Sequence, residues 1–247
     1  MKKGFLALTC LVIFFCGSTV QASTALKYNV NASSSWVPYY IAGSAENPGI
    51  LGELVPLLLA KANIEVEKNN YPPKRTNYAL ANGLLDFDFV SPSWFEDQKV
   101  GDNFVSSIAI LVIQENIITL DKNAQKWQDV NQIKGKKIGT IRGYLYHDDT
   151  EFTRVDFTSE RELIKALHKE RVEAVISGDL PALYWAKKLN RPVTLAAIHS
   201  EGHLVMRLRK KHTALLPQIN AAIAEFKQNG TTQSIIEKYT KQDVFSR

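Results

Sequence analysis

Beyond residue 22 the sequence has no cysteine, since both of its cysteines, Cys10 and Cys16, lie before that point. A chain without thiols can form no disulfide and offers no thiolate to a metal. It also lacks any later apolar run approaching the ~20 residues of a membrane-spanning helix. Neither sign of charge dominates: 30 Lys and Arg stand against 25 Asp and Glu, a formal net charge of +5. Without Lys2 and Lys3 the balance is 28 against 25, or +3. The basic residues are scattered, apart from Arg207-Leu-Arg-Lys-Lys211. That run reads as a solvated turn, not the one-faced stripe that nucleic acid requires, so no nucleic-acid partner is expected. No G-x-S-x-G, P-loop or G-x-G-x-x-G motif occurs, and no cofactor is expected.

What is present begins with a leader. Lys2 and Lys3 precede an apolar run from Phe5 to Phe15, and Val20-Gln21-Ala22 follows. This is the pattern of a secretory signal peptide spanning 1–22 and cleaved before Ser23. Lipid attachment at Cys16 is the rival reading, but Phe15 is bulky where small residues are usual. The sequence, at 247 residues of which 45% are hydrophobic, is large enough to bury one sizeable core or two smaller ones.

The organising stretch is Gly49 to Ser91. Pro48-Gly49 breaks the chain, and Ile50, Leu51, Leu54, Val55, Leu58 and Leu59 then recur at helical spacing. Asn63 ends that helix, and Ile64-Glu-Val-Glu alternates like a strand. Pro72-Pro73 makes a second break, a helix is expected from about Arg75 to Gly83, and Leu84 to Val90 reads as a buried strand. Helices alternating with strands imply an α/β fold, in which ligands bind at the carboxyl ends of the strands. Ser91 and Trp94 lie at such an end.

Along the rest of the chain, Leu26–Ala32 reads as a first strand. The loop after it carries Trp36 and Tyr40, aromatic rings suited to a ligand mouth. Phe104 to Ile118 is rich in β-branched residues and reads as two strands separated at Gln114-Glu-Asn116, a plausible hinge. Strands are expected at 137–141, 172–176, 193–197 and 202–208, with helices at 160–169, 181–189, 215–228 and 231–239. The strand at 137–141 ends on Arg142-Gly143-Tyr144. An internal echo suggests two similar lobes: Ala79-Leu80 is followed by Gly83, Asp86 and Ser91, and Ala166-Leu167 by Glu170, Glu173 and Gly178 at identical offsets.

The chain resembles the bacterial extracellular solute-binding proteins of the amino-acid type, family 3. The residues that carry the resemblance are Gly49-Ile50-x-x-Glu53-Leu54, Leu80-x-x-Gly83-x-x-Asp86, Gly135-Lys-Lys-Ile-Gly139-Thr140, Arg171-Val-Glu-Ala-Val and Asn229-Gly230-Thr231. It implies a two-lobe clamshell of the class II periplasmic-binding type, each lobe a mainly parallel sheet flanked by helices. Lobe 1 is expected over 23–111 plus 201–247 and lobe 2 over 115–197, with hinge crossings near 111–115 and 197–203. A small-molecule ligand would close the lobes on binding. The resemblance further implies a periplasmic monomer serving an ABC-type permease in the inner membrane. Some relatives are sensor modules instead, and a few are enzymes.

Two positions depart from the amino-acid-binding pattern. The resemblance places Gln98 where an arginine grips the α-carboxylate, and Gly178, with Asp179 next to it, where an acid holds the α-amino group. Arg75 and Arg142 are the candidates to take over anion binding. The expected ligand site is therefore Trp36, Tyr40, Arg75, Ser91, Trp94, Arg142, Tyr144 and Asp179, holding an anionic or zwitterionic solute with a flat or apolar part. Convergence of Trp94, Arg142 and Asp179 in one cleft is the geometric requirement of that site. Glu96 and Asp179 are the acids an enzyme reading would need. His199, Glu201 and His203 would share one face of a strand, as metal ligands do, but they fall at the expected second hinge. His147-Asp148-Asp149 reads as a solvated loop. No metal site is expected.

Overall fold

The computed structural model describes residues 25–241; the expected leader, 1–22, lies outside them. Six helices and nine strands follow in the order β1 (Leu26–Tyr28), α1 (Ile50–Lys61), β2 (Val66–Lys68), α2 (Pro73–Ala81), β3 (Phe87–Val90), β4 (Phe104–Ser106), β5 (Leu111–Thr119), β6 (Lys137–Ile141), β7 (Thr153–Phe157), α3 (Glu160–His168), β8 (Ala174–Gly178), α4 (Asp179–Lys188), β9 (Thr194–Arg209), α5 (Leu216–Gln228) and α6 (Thr231–Thr240). Among the described residues no helix is long and apolar enough to cross a membrane.

The helices follow from the periodicity. The six apolar residues of α1 at helical spacing are all buried, and each would cost ~2–5 kcal/mol if truncated to alanine. Pro73 opens α2 two residues before Arg75, because proline's fixed φ and missing N–H suit the first helical position. The Ser159 hydroxyl caps α3 by accepting the Glu162 N–H at 3.4 Å.

The strands form two sheets that share β9. One runs β2-β1-β3-β9, with β4 also on β9; the other runs β9-β5-β8-β6-β7. The outer strands pair parallel, whereas β9 and β5 pair antiparallel with each other and with their neighbours. Each sheet is therefore mixed rather than mainly parallel. One core forms where α1, α5 and α6 cover the first sheet, around Leu54, Phe87 and Ile219. Two more cover opposite faces of the second sheet, around Trp127 and Ile176 and around Leu163 and Val175. This is the two-lobe clamshell.

Three strand expectations change. The segments 193–197 and 202–208 are one continuous strand, β9. Gly202 does not bend it but lets it pass the Ser91–Ser93 turn, where an added Cβ would stand 2.6 Å from the Ser91 hydroxyl. The break in 104–118 falls at 107–110. Gln114-Glu-Asn116 instead runs inside β5, because Glu115 turns inward and its carboxylate accepts the Ser200 hydroxyl of β9 at 2.9 Å. β7 was not expected, since Thr153–Phe157 alternates weakly; Arg154 within it is held by Asp149 and Asp156 at 3.0 and 2.9 Å.

Candidate functional site

The carboxyl ends of β1, β3 and β6 point to one gap between the sheets. There Asn31, Trp36, Trp94, Glu115, Gly143, Tyr144 and Leu145 line a cavity of about 20 Å³, the space of roughly one water molecule. The clamshell is thus described in a closed form, and hydrogen bonds cross the gap. The Asn77 amide donates to the Gly143 carbonyl at 2.9 Å, the Ser33 N–H to the Tyr144 hydroxyl at 3.0 Å, and the Trp185 indole to the Ser35 carbonyl at 2.7 Å. Gly143 allows this approach: its φ is +85°, and a Cβ there would stand 2.4 Å from the Lys74 nitrogen.

The polar atoms on the cavity wall are partly unpaired. The Trp94 indole N–H and the Asn31 side-chain oxygen are buried without a hydrogen-bond partner. The amide of Asn31 is fixed in this sense because its NH₂ donates to Asn77 at 3.2 Å and to Asp88 at 3.0 Å. Asp88 is itself buried and takes two bonds from Arg207, at 2.8 and 2.6 Å. Arg207 therefore fixes Asp88, and Asp88 fixes Asn31. Buried groups left unpaired are costly, so they point to a partner that supplies the missing bonds.

Two buried carboxylates dominate the electrostatics, and no Lys or Arg lines the cavity. Burial pushes the Glu115 carboxyl up to about 7, although His199 and the Ser200 hydroxyl pull it down. Glu160, the first residue of α3, accepts hydroxyls from Ser33 and Ser35 across the gap and from Tyr144 on its own side. Burial raises its carboxyl as well, against those hydrogen bonds. The wall therefore offers acceptors at Glu115 and Asn31, a donor at Trp94, and the aromatic faces of Trp36, Trp94 and Tyr144.

The expected site residues divide. Trp36, Trp94 and Tyr144 line the cavity. Ser91 is buried behind it, its hydroxyl 2.8 Å from that of Ser93. Tyr40 lies away from it, donating to Asn70 at 2.9 Å. Arg75 and Arg142 are exposed, Arg75 stacking on Tyr71. Asp179 is buried at the start of α4, where it accepts the Leu180 N–H at 2.7 Å. Trp94, Arg142 and Asp179 do not converge on one cavity, so the geometric requirement set by the sequence is not met. Asn31, Glu115 and Glu160 were not foreseen. Glu115 alone carried a signal, as an acid inside a β-branched run.

The set of His199, Glu201 and His203 does not form. Glu115 pairs with Ser200 while Asn116 pairs with Ile198, so His199 is the extra residue of a β-bulge. The bulge turns His199 inward beside Ser200 and leaves Glu201 and His203 exposed. His199 meets Asp148 instead, at 3.0 Å.

Comparison with known proteins agrees with the fold. Residues 28–242 match the family model of the bacterial extracellular solute-binding proteins, family 3. The L-cystine-binding protein TcyJ of Escherichia coli (strain K12) is 29% identical over 146 residues, which are 57% of this chain and 52% of that protein. The matched stretch thus spans about half the length of that relative. Among solved structures, the GluR0 ligand-binding core in complex with L-glutamate superposes with a TM-score of 0.72 at 16% identity, over 88% of this chain and 99% of that one. The amino-acid ABC transporter substrate-binding protein AbpA of Streptococcus pneumoniae, bound to L-arginine, gives 0.70 at 18% identity, over 90% and 97%. With a family model covering nearly all of the described residues and a cleft between two lobes, this chain belongs to the bacterial extracellular solute-binding proteins, family 3.

Proposed function

We propose that the chain is a periplasmic binding protein, exported through its leader, that captures a small amino-acid-like solute bearing an amine. The solute is held between lobe 1 (23–111 plus 201–247) and lobe 2 (115–197), and the loaded form is delivered to an ABC-type permease. The hinge is the antiparallel pair β5–β9, near 111–115 and 197–203, where β9 runs from one sheet into the other and β5 enters the second sheet beside it. The observation that carries the solute class is the pairing of Glu115 and the unpartnered Asn31 oxygen with the unpartnered Trp94 N–H on one cavity wall. An ammonium group answers the two acceptors and a carboxylate answers the indole donor. Trp36 and Tyr144 would cover the apolar part, and the ring faces favour a cation nearby. A purely anionic solute finds no cation on this wall, because Arg75 and Arg142 are exposed. The names of the relatives, which refer to cystine, glutamate and arginine, support the amino-acid class.

Thermal unfolding against a panel of amino acids, amines and amine-free organic acids tests the reading. A solute at a hundred times its Kd adds about 2.7 kcal/mol, a rise of about 5–11 °C for a chain of this size. A rise confined to amine-bearing solutes, recovered unchanged, supports it. A rise confined to amine-free acids overturns the solute class, and consumption of the compound would replace binding with catalysis.

A further inference from the structure

Behind Glu115, outside the solute cavity, the β9 bulge brings His199 against the loop that follows β6. The ligand atoms of His147, Asp148 and His199 all lie within 4.8 Å of one another. We propose that these residues form a binding site for a divalent transition metal of zinc type, with both imidazoles and the carboxylate as its ligands.

The donor set fits that ion. Imidazole and carboxylate together suit zinc, and three protein ligands with one open position are a common zinc arrangement. The Nε2 of His199 is 3.0 and 3.1 Å from the two carboxylate oxygens of Asp148, and the Nε2 of His147 is 3.9 Å from one of them. Tetrahedral zinc with bonds of about 2.0–2.2 Å sets its ligand atoms about 3.3–3.5 Å apart, which lies between those separations. A rotation of the part-exposed His147 ring shortens the longer separation, and a shift of a few tenths of an ångström between Asp148 and the buried His199 lengthens the shorter one.

The surroundings fit as well. The side chain of His199 is fully buried, and its Nδ1 has no hydrogen-bond partner. With metal on Nε2 the proton moves to Nδ1, which faces the Glu115 carboxylate at 3.9 Å. A carboxylate behind a metal-bound imidazole fixes its tautomer and orientation. On the other side His147 and Asp148 open into a cavity of about 330 Å³, also bordered by Glu96 and Glu151, which provides the entry path. Lys134 at its rim is neutralised by Glu151 at 3.2 Å. His147 and Asp148 lie on the loop after β6 and His199 on the part of β9 that pairs with β5, within the hinge segment, and none of the three needs a bound solute to be in place.

The test is a titration of chelator-treated protein, without solute, by Zn²⁺ in a calorimeter and by Co²⁺ in the visible range. Binding of one ion per chain is expected, with the intense bands of tetrahedral Co²⁺. His147→Ala and Asp148→Asn should each weaken binding at least tenfold, while His203→Ala, an exposed control on the same strand, leaves it unchanged. Unfolding of both variants without metal, at the wild-type temperature, shows that lost binding is not lost fold. Absence of binding, or binding retained in both variants, overturns the proposal. A variant that unfolds early is replaced by His147→Gln, judged by the same tenfold criterion.

Discussion

The most exacting test of the cleft's architecture is Arg207→Met. Asp88 is fully buried on β3, and its carboxylate is held by two bonds from Arg207 and one from Asn31. The Arg207 guanidinium also stacks between Phe95 and Phe104, 5.6 and 5.1 Å from their ring centres, so methionine keeps much of the packing and removes the charge. Breaking a buried pair from one side leaves an uncompensated charge, which costs about 3–5 kcal/mol. For a chain of this size that is a fall in Tm of roughly 6–20 °C. Removing both charges, in Asp88→Asn with Arg207→Met, should recover much of the loss, because no carboxylate remains stranded. The double-mutant cycle, read by thermal unfolding, gives the coupling directly. The same cycle read by solute affinity should show loss in the single variant, since Asp88 orients the Asn31 amide on the cavity wall. A single-variant cost below about 1 kcal/mol would refute this reasoning. A double variant no more stable than the single would refute it too.

Other outcomes follow from the same geometry. Glu115→Gln keeps the acceptor for Ser200 but removes the charge, and should weaken an amine-bearing solute at least about tenfold, as a charged hydrogen bond of ~1.5–3 kcal/mol predicts; equilibrium titration reads it. Trp94→Phe keeps an aromatic face and deletes the unpartnered N–H, so affinity should fall while Tm without solute stays close to wild type. Arg75→Ala and Arg142→Ala should leave affinity within about twofold, because both side chains are exposed outside the cavity. Glu160 gives a pH signature. Burial raises its carboxyl in the folded state, so the folded chain holds that proton more tightly than the unfolded one. Its contribution to stability is complete below the unfolded value near 4.5 and is lost as pH rises through the raised one. Glu160→Gln should flatten that part of the Tm–pH curve, and an unchanged slope would count against the buried-carboxylate reading.

How much of this was legible in the sequence depends on the range of the interaction that decides each feature. The helices were legible because their information is local: six apolar residues at helical spacing fix α1, and Pro72-Pro73 marks the break before α2, although the helix opens at Pro73, two residues earlier than expected. The aromatic part of the cleft was legible because Trp36, Trp94 and Tyr144 follow strand ends, where α/β folds bind ligands. The polar part was not, because it is set by pairing between segments far apart in the chain. Asn31 is oriented from Asp88, and Asp88 from Arg207, across separations of 57 and 119 residues. Glu115 looked like a break in a strand until its partner on β9 was known.

His199 shows the limit most clearly. Period-two alternation assigns residues 199, 201 and 203 to one face, and that inference holds only for an unbroken ladder. One extra residue at the Ser200–Ile198 register shift reverses it. His199 then faces inward, toward Asp148 of a loop 51 residues away, and away from Glu201 and His203. The bulge also brings the imidazole between Glu115 on the solute cavity and Asp148 on the outer cavity. A single irregularity in hydrogen-bond register thus both dissolves the metal set suggested by the sequence and assembles another. Deleting the bulge should therefore act on two sites together. A one-residue deletion at position 199 would remove this register shift and keep Ser200 opposite Glu115. It should abolish zinc binding and, by removing the neighbour that holds the Glu115 carboxylate down, weaken the amine-bearing solute as well. Loss of zinc binding with solute affinity unchanged would show that Glu115 acts without His199.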